Sequence, residues 1–128
     1  MPRVVHFEIH ATTPQRLIDF YTSLFGWKFT RWGGADYWVI QTGDKSEPGI
    51  DGGLVQRRGE PAAPAQPVNA FACTVQVAAL DATLTQALGC GGTLALPKMP
   101  IPGVGWLAYI KDPDGNILGL MQPDAQTR

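Results

Sequence analysis

Three ionisable side chains alternate along one short stretch near the start of the chain. They are His6, Glu8 and His10, in the run Val-Val-His-Phe-Glu-Ile-His over residues 4–10. A carboxylate between two imidazoles can move protons, anchor a polar ligand or help hold a metal ion. The spacing restricts the last of these. Residues two apart on a strand have Cβ atoms about 6.6 Å apart, at a rise of about 3.3 Å per residue, so Glu8 can share one ion with His6 or with His10. The two histidines lie about 13 Å apart and do not easily share one. The pattern reads as a hydrogen-bonded polar network or as a ligand contact, with Glu8 as the candidate general base.

These residues need a strand to align them and a helix to support it. Val5, Phe7 and Ile9 alternate with the polar three, so they are expected to face the core under the first helix while the polar side faces a cleft. Thr12 or Thr13 can cap that helix and Pro14 suits its first turn. Leu17, Phe20, Tyr21 and Leu24 recur at helical spacing, with Phe20 and Tyr21 read as core, and Gly26 ends the helix.

Composition excludes several classes of function. An apolar fraction of 45% with 16% charged residues describes a globular domain, large enough at 128 residues for a real core. A formal net charge of −1 without a basic run argues against nucleic-acid binding. No apolar stretch approaches the ~20 residues that span a bilayer, and Met1-Pro2-Arg3 leads directly into strand residues without a signal-peptide pattern. Cys73 and Cys90 form no CxxC pair and no disulfide framework. A cytoplasmic protein without membrane or nucleic-acid partners is expected.

Further strands are expected at Trp27–Trp32, Asp36–Thr42 and Ile50–Gln56, the last interrupted by Gly52 and Gly53. A proline- and alanine-rich linker follows. The second half repeats the plan: a strand at Ala70–Val77, a helix at Ala79–Leu88 with Leu80, Leu84 and Leu88 on one stripe, and strands at Thr93–Leu96, Trp106–Lys111 and Asn116–Gln122. Pro97–Gly105 reads as a loop and Asp112-Pro113-Asp114-Gly115 as a tight turn. The chain is thus one domain over 1–128, with module one at about 3–57, a linker at about 58–68 and module two at about 69–123.

The opening strand with His6, Phe20-Tyr21 before Leu24-Phe25-Gly26-Trp27, Gly91-Gly92, and Pro102-Gly103-Val104-Gly105 running into Asp112-Pro113-Asp114-Gly115-Asn116 together resemble the vicinal-oxygen-chelate superfamily. This is the group of glyoxalases, bleomycin-resistance proteins and extradiol dioxygenases, and the match is nearest to its small glyoxalase-like members. The resemblance implies an α+β fold of two tandem βαβββ modules whose sheets curl around a shared cleft, and a homodimer. It also implies a divalent metal held by four side chains, for which His6 matches the first position. Gly53, Ala72 and Gly119 match the other three, and none carries a donor.

No metal and no other cofactor is therefore expected, with His6 a ligand only if a metal is present. The two glycines and the alanine are expected to leave room in the cleft. Strand aromatics can line such a room. The expected ligand-binding set is His6, Glu8, His10, Trp38, Thr74, Trp106 and Tyr109. Two functions stay open: a protein that binds a small organic molecule without metal, and a metal-dependent lyase, isomerase or dioxygenase of the glyoxalase kind.

Overall fold

The computed structural model describes residues 2–67 and 69–128. Met1 and Val68, the ends of the expected domain and linker, lie outside the described residues. The chain is α+β and consists of two βαβββ modules. It forms two compact units, one over His6–Phe71 and the other over Ala72–Arg128 with the opening residues of the first strand up to Val5.

Module one contains β1 (Arg3–Ala11), α1 (Pro14–Phe25), β2 (Lys28–Arg31), β3 (Tyr37–Gln41) and β4 (Gly52–Gln56). Its strands lie in the order β2-β3-β4-β1, with β1 parallel to β4 and the other pairs antiparallel. Pro14 opens α1, where a missing backbone N–H costs nothing. Gly26 closes it in the left-handed conformation at φ 72°, its N–H bonded to the Thr22 carbonyl at 3.0 Å. Neither threonine caps the helix as expected. Thr13 occupies the cap position without a side-chain bond, and the Thr12 hydroxyl instead accepts from Arg57 Nε at 3.1 Å.

The module-one core consists of Phe7, Ile9, Ala11, Ile40 and Leu54, with Leu17, Ile18, Tyr21, Trp27, Phe29 and Trp38 packed against it. Two expectations are corrected here. Val5 is 38% exposed, so the packed face of β1 begins at Phe7. Phe20 is 54% exposed because the packed stripe of α1 is Leu17, Ile18 and Tyr21, and Phe20 falls on its flank.

Module two contains β5 (Ala72–Gln76), α2 (Leu80–Gly89), β6 (Thr93–Ile101), β7 (Gly105–Lys111) and β8 (Ile117–Pro123). The order is β5-β8-β7-β6, again with one parallel pair, β5 with β8. Its core is Val77, Leu80, Ala108, Ile110 and Leu120. Leu84 joins that core, whereas Leu88 on the same expected stripe is exposed. The loop expected over Pro97–Gly105 is also corrected, since β6 continues through Pro97 and Pro100 to Ile101. A proline gives up its hydrogen-bond donor, which an edge strand tolerates, and the register of β6 on β7 slips twice, between Leu94 and Leu96 and between Leu96 and Met99. Among the described residues no helix is long and apolar enough to cross a membrane.

Candidate functional site

The alternation of β1 places His6, Glu8 and His10 on the face opposite the core, all partly exposed. Their side chains converge on the carboxylate. His6 Nε2 lies 3.8 Å from Glu8 Oε2, and His10 Nε2 lies 4.0 Å from Glu8 Oε1. Glu8 is the most enclosed of the three, with a side chain 14% exposed against 32% for His6 and 40% for His10.

A fourth residue joins the group. Tyr37 Oη is 3.3 Å from His6 Nε2 and donates to Glu8 Oε2 at 3.4 Å. Both contacts are at the long end of hydrogen bonding. A hydroxyl has one proton, so donation to Glu8 leaves its oxygen to accept from His6 when that ring carries its proton on Nε2. Burial, then the charge of Glu8, then the bond to it push the Tyr37 hydroxyl well above the ordinary tyrosine range. It therefore stays protonated at neutral pH.

Strand register explains how Tyr37 gets there. In the sheet Glu8 pairs with Gly53 and Gly53 with Val39, while His10 pairs with Val55 and Val55 with Tyr37. Tyr37 thus starts one row away and leans across β4. A Cβ on residue 53 would overlap Tyr37 Oη and Cζ. Only glycine leaves room there for the hydroxyl end of the tyrosine ring. On the other face a Cβ on residue 52 would meet the Phe7 carbonyl oxygen at 2.5 Å and the Phe7 ring at 2.7 Å. The two glycines that weaken the strand seat two aromatic rings, one on each face.

Of the residues expected to bind a ligand, His6, Glu8 and His10 come together. Trp38 points the other way and packs on the module-one core, with the Arg31 guanidinium 5.2 Å from its ring centre. Trp106 packs on the module-two core, with its Nε1 donating to Asp124 at 3.4 Å and Lys98 Nζ 4.7 Å from its ring centre. Thr74 is buried, and with Tyr109 it crowds Gly119, where a Cβ would meet Thr74 Oγ1 at 2.8 Å and the Tyr109 ring at 3.1 Å. The expected open space is thus corrected: Tyr37 fills it at Gly53, Thr74 and Tyr109 fill it at Gly119, and Ala72 is itself buried.

The modules differ in chemistry at matching positions. Thr74 pairs with Gly119 as Glu8 pairs with Gly53, and Leu107 stands in the register of Tyr37. Module two therefore carries a threonine and a leucine where module one carries a carboxylate and a phenol.

Tyr37 was missed as a specific contact, although the sequence held a signal for it. Trp38 and Ile40 share a strand face, and an apolar Ile40 assigns that face to the core, leaving Tyr37 on the polar side.

The residues present do not fit a four-ligand metal ion. Positions 53 and 119 offer no donor and their side-chain space is occupied. Among the described residues no group of three or more His, Cys, Asp or Glu side chains is placed to hold one. A cavity of about 270 Å³ lies elsewhere, in the loop between β3 and β4, lined in part by Asp44, Lys45, Glu47 and Asp51. The Asp51 carboxylate there accepts from the Thr42 N–H at 2.9 Å, and the Thr42 hydroxyl, 3.2 Å from it, donates to the Ile50 carbonyl at 2.7 Å, which is a loop-closing arrangement.

A family model described as glyoxalase-like domain matches residues 6–121. Among solved structures, methylmalonyl-CoA epimerase from Mycobacterium tuberculosis is 15% identical, with a TM-score of 0.68 over 94% of this chain and 87% of that one. A glyoxalase/bleomycin resistance protein/dioxygenase superfamily member from Vibrio splendidus 12B01 is 13% identical, with a TM-score of 0.63 over 97% and 100%. At these identities the likeness is one of fold. No curated protein matches the sequence.

Proposed function

We propose, for a chain that belongs to the glyoxalase-like domain family, that the polar face of the module-one sheet binds a small organic molecule without a metal ion. The observation that supports this most is the meeting of Glu8, His6, His10 and Tyr37 on one face. Small-molecule sites set a few convergent polar groups on a rigid frame. Here the frame is three adjacent strands, and the Tyr37 ring is seated on backbone.

A second reading is proton transfer by Glu8. The enclosed carboxylate held beside a protonated phenol favours it, since a base must be oriented before it can act. Neither reading calls on a donor set for metal.

Native mass spectrometry with elemental analysis tests the proposal on protein purified without added ligand. An organic adduct carried by the parent and lost from Glu8→Gln supports it. A stoichiometric metal in place of such an adduct overturns it.

A further inference from the structure

The polar cluster occupies only the β1 side of its sheet face. Strand register shows what shares that face toward the outer edge. Glu8 stands in one row with Gly53, Val39 and Thr30, and His10 stands in the next with Val55 and Tyr37. Trp32 extends that second row, its backbone N–H bonded to the Tyr37 carbonyl at 2.9 Å. Phe29, Trp38, Ile40 and Leu54 serve the core, so alternation puts Thr30, Trp32, Val39 and Val55 on the side of the cluster.

This part of the face is apolar. Trp32 is 47% exposed and Val39 36%, and neither packs on the module-one core. Val55 is half-buried. The Tyr37 ring joins them to the cluster, because its hydroxyl end sits over Gly53, between Glu8 and Val39. The strip stops at the following row, where Lys28 pairs with Gln41. Covering it with an apolar body is favourable. Apolar and aromatic walls with a few polar groups at one point are the usual make-up of a small-molecule site. Neighbouring strands lie about 4.8 Å apart, so Val39 is about 10 Å from Glu8 across β4.

We infer that the ligand is a flat aromatic molecule of about two fused rings with one polar end, the size that spans this gap. Its polar end meets the cluster around Glu8, and its rings lie along Val39 against Trp32. The inference rests on the reading that this face binds a small organic molecule, and it makes Trp32 the residue that selects a planar body. Aromatic rings pair in offset or edge-on geometry, which a puckered saturated ring does not match.

2-Naphthol and its saturated counterpart decahydro-2-naphthol carry the same hydroxyl and differ in planarity. NMR of the full-length protein reads both ends of the site at once. The chain has 2 histidines, both in the cluster, and 4 tryptophans. The indole N–H signal of Trp32 is the one that Trp32→Phe removes. Titration with 2-naphthol is expected to shift the Trp32 and histidine signals with one dissociation constant, and decahydro-2-naphthol is expected to bind more weakly. Trp32→Ala, with its fold checked by circular dichroism, is expected to weaken 2-naphthol about two- to tenfold and the saturated probe less.

Histidine shifts without a Trp32 shift, or equal affinity for the two probes, would overturn the inference while leaving the binding reading intact. Silent histidines would overturn both together, whether every signal is silent or only Trp27 responds. Trp27 stacks on Tyr21 and touches the exposed Phe25 of α1, so its signal reports a probe seated on that helix instead. The two probes are compared on the parent protein, so they decide the question even if Trp32→Ala fails to fold.

Discussion

Replacing Gly53 with alanine tests whether the Tyr37 ring is seated on the backbone of β4. The new methyl group would occupy the place of the tyrosine hydroxyl and the ring carbon that bears it. The ring would have to leave, because the other side of the contact is strand backbone. Forcing one methyl into an occupied site costs about 1–3 kcal/mol. Removing the donor from a mostly enclosed carboxylate adds about 1–3 kcal/mol. A loss of about 2–6 kcal/mol is therefore expected by urea unfolding followed by circular dichroism. Tyr37→Phe keeps the ring and loses only the hydroxyl contacts, so it should cost the donor part alone, about 1–3 kcal/mol.

The decisive comparison is the double mutant. Without a ring over the strand, the three atoms nearest to a methyl at 53 are gone, and no positive φ opposes it. In a Tyr37→Ala background, Gly53→Ala should be neutral or stabilising by up to about 1 kcal/mol. Equal destabilisation by Gly53→Ala in the two backgrounds would refute the seat, since an interaction between two residues must vanish when one of them is gone.

Three further outcomes follow from the same structure. Phe7→Ala should cost about 3–5 kcal/mol as a core truncation and His10→Ala far less, because Phe7 is 9% exposed and His10 lies on the opposite, accessible face; equal losses in urea unfolding would show the faces to be reversed. The Tyr37 proton is held more tightly in the folded state, so the stability it contributes is fully present below about pH 10 and is lost as pH rises through the raised folded value; unfolding measured from pH 9 upward should show a decline that Tyr37→Phe lessens, and identical profiles would contradict the raised value. The outer strands β2 and β6 leave sheet edges that proteins commonly pair or cover, and a symmetric homodimer is expected; sedimentation giving one monomer mass at every soluble concentration would exclude it.

What the sequence disclosed and what it hid have separate physical origins. The strand β1, its helix and the repeat of the plan were legible because period-two and period-3.6 patterns are local, and because Gly26 marks a stop. The polar row of His6, Glu8 and His10 was legible for the same reason. Tyr37 was not, because its role depends on an absent side chain at Gly53, sixteen positions away and on another strand. A glycine pair in a strand announces a close approach without saying what approaches. Read alone, Gly53 and Gly119 suggested empty space, and each turned out to be filled from a neighbouring strand. The run of prolines in β6 looked like a loop because propensity cannot see that the strand lies at an edge, where a missing donor is tolerated. Phe20 looked like core because its spacing fits the helix, and only the packing direction of α1 separates it from Tyr21.

The proposed site on this face is metal-free and organised by Glu8. Calorimetric titration of the protein with zinc, nickel, manganese and iron(II) tests it most directly. A site needs about three protein donors to hold a catalytic ion, and although both histidines approach Glu8, one at each oxygen, no group of three or more His, Cys, Asp or Glu side chains among the described residues is placed to hold an ion. No stoichiometric binding at sub-micromolar concentration is expected for any of the four metals. Tight one-to-one binding that disappears in His6→Ala would contradict it and establish a metal centre in place of the hydrogen-bonded face.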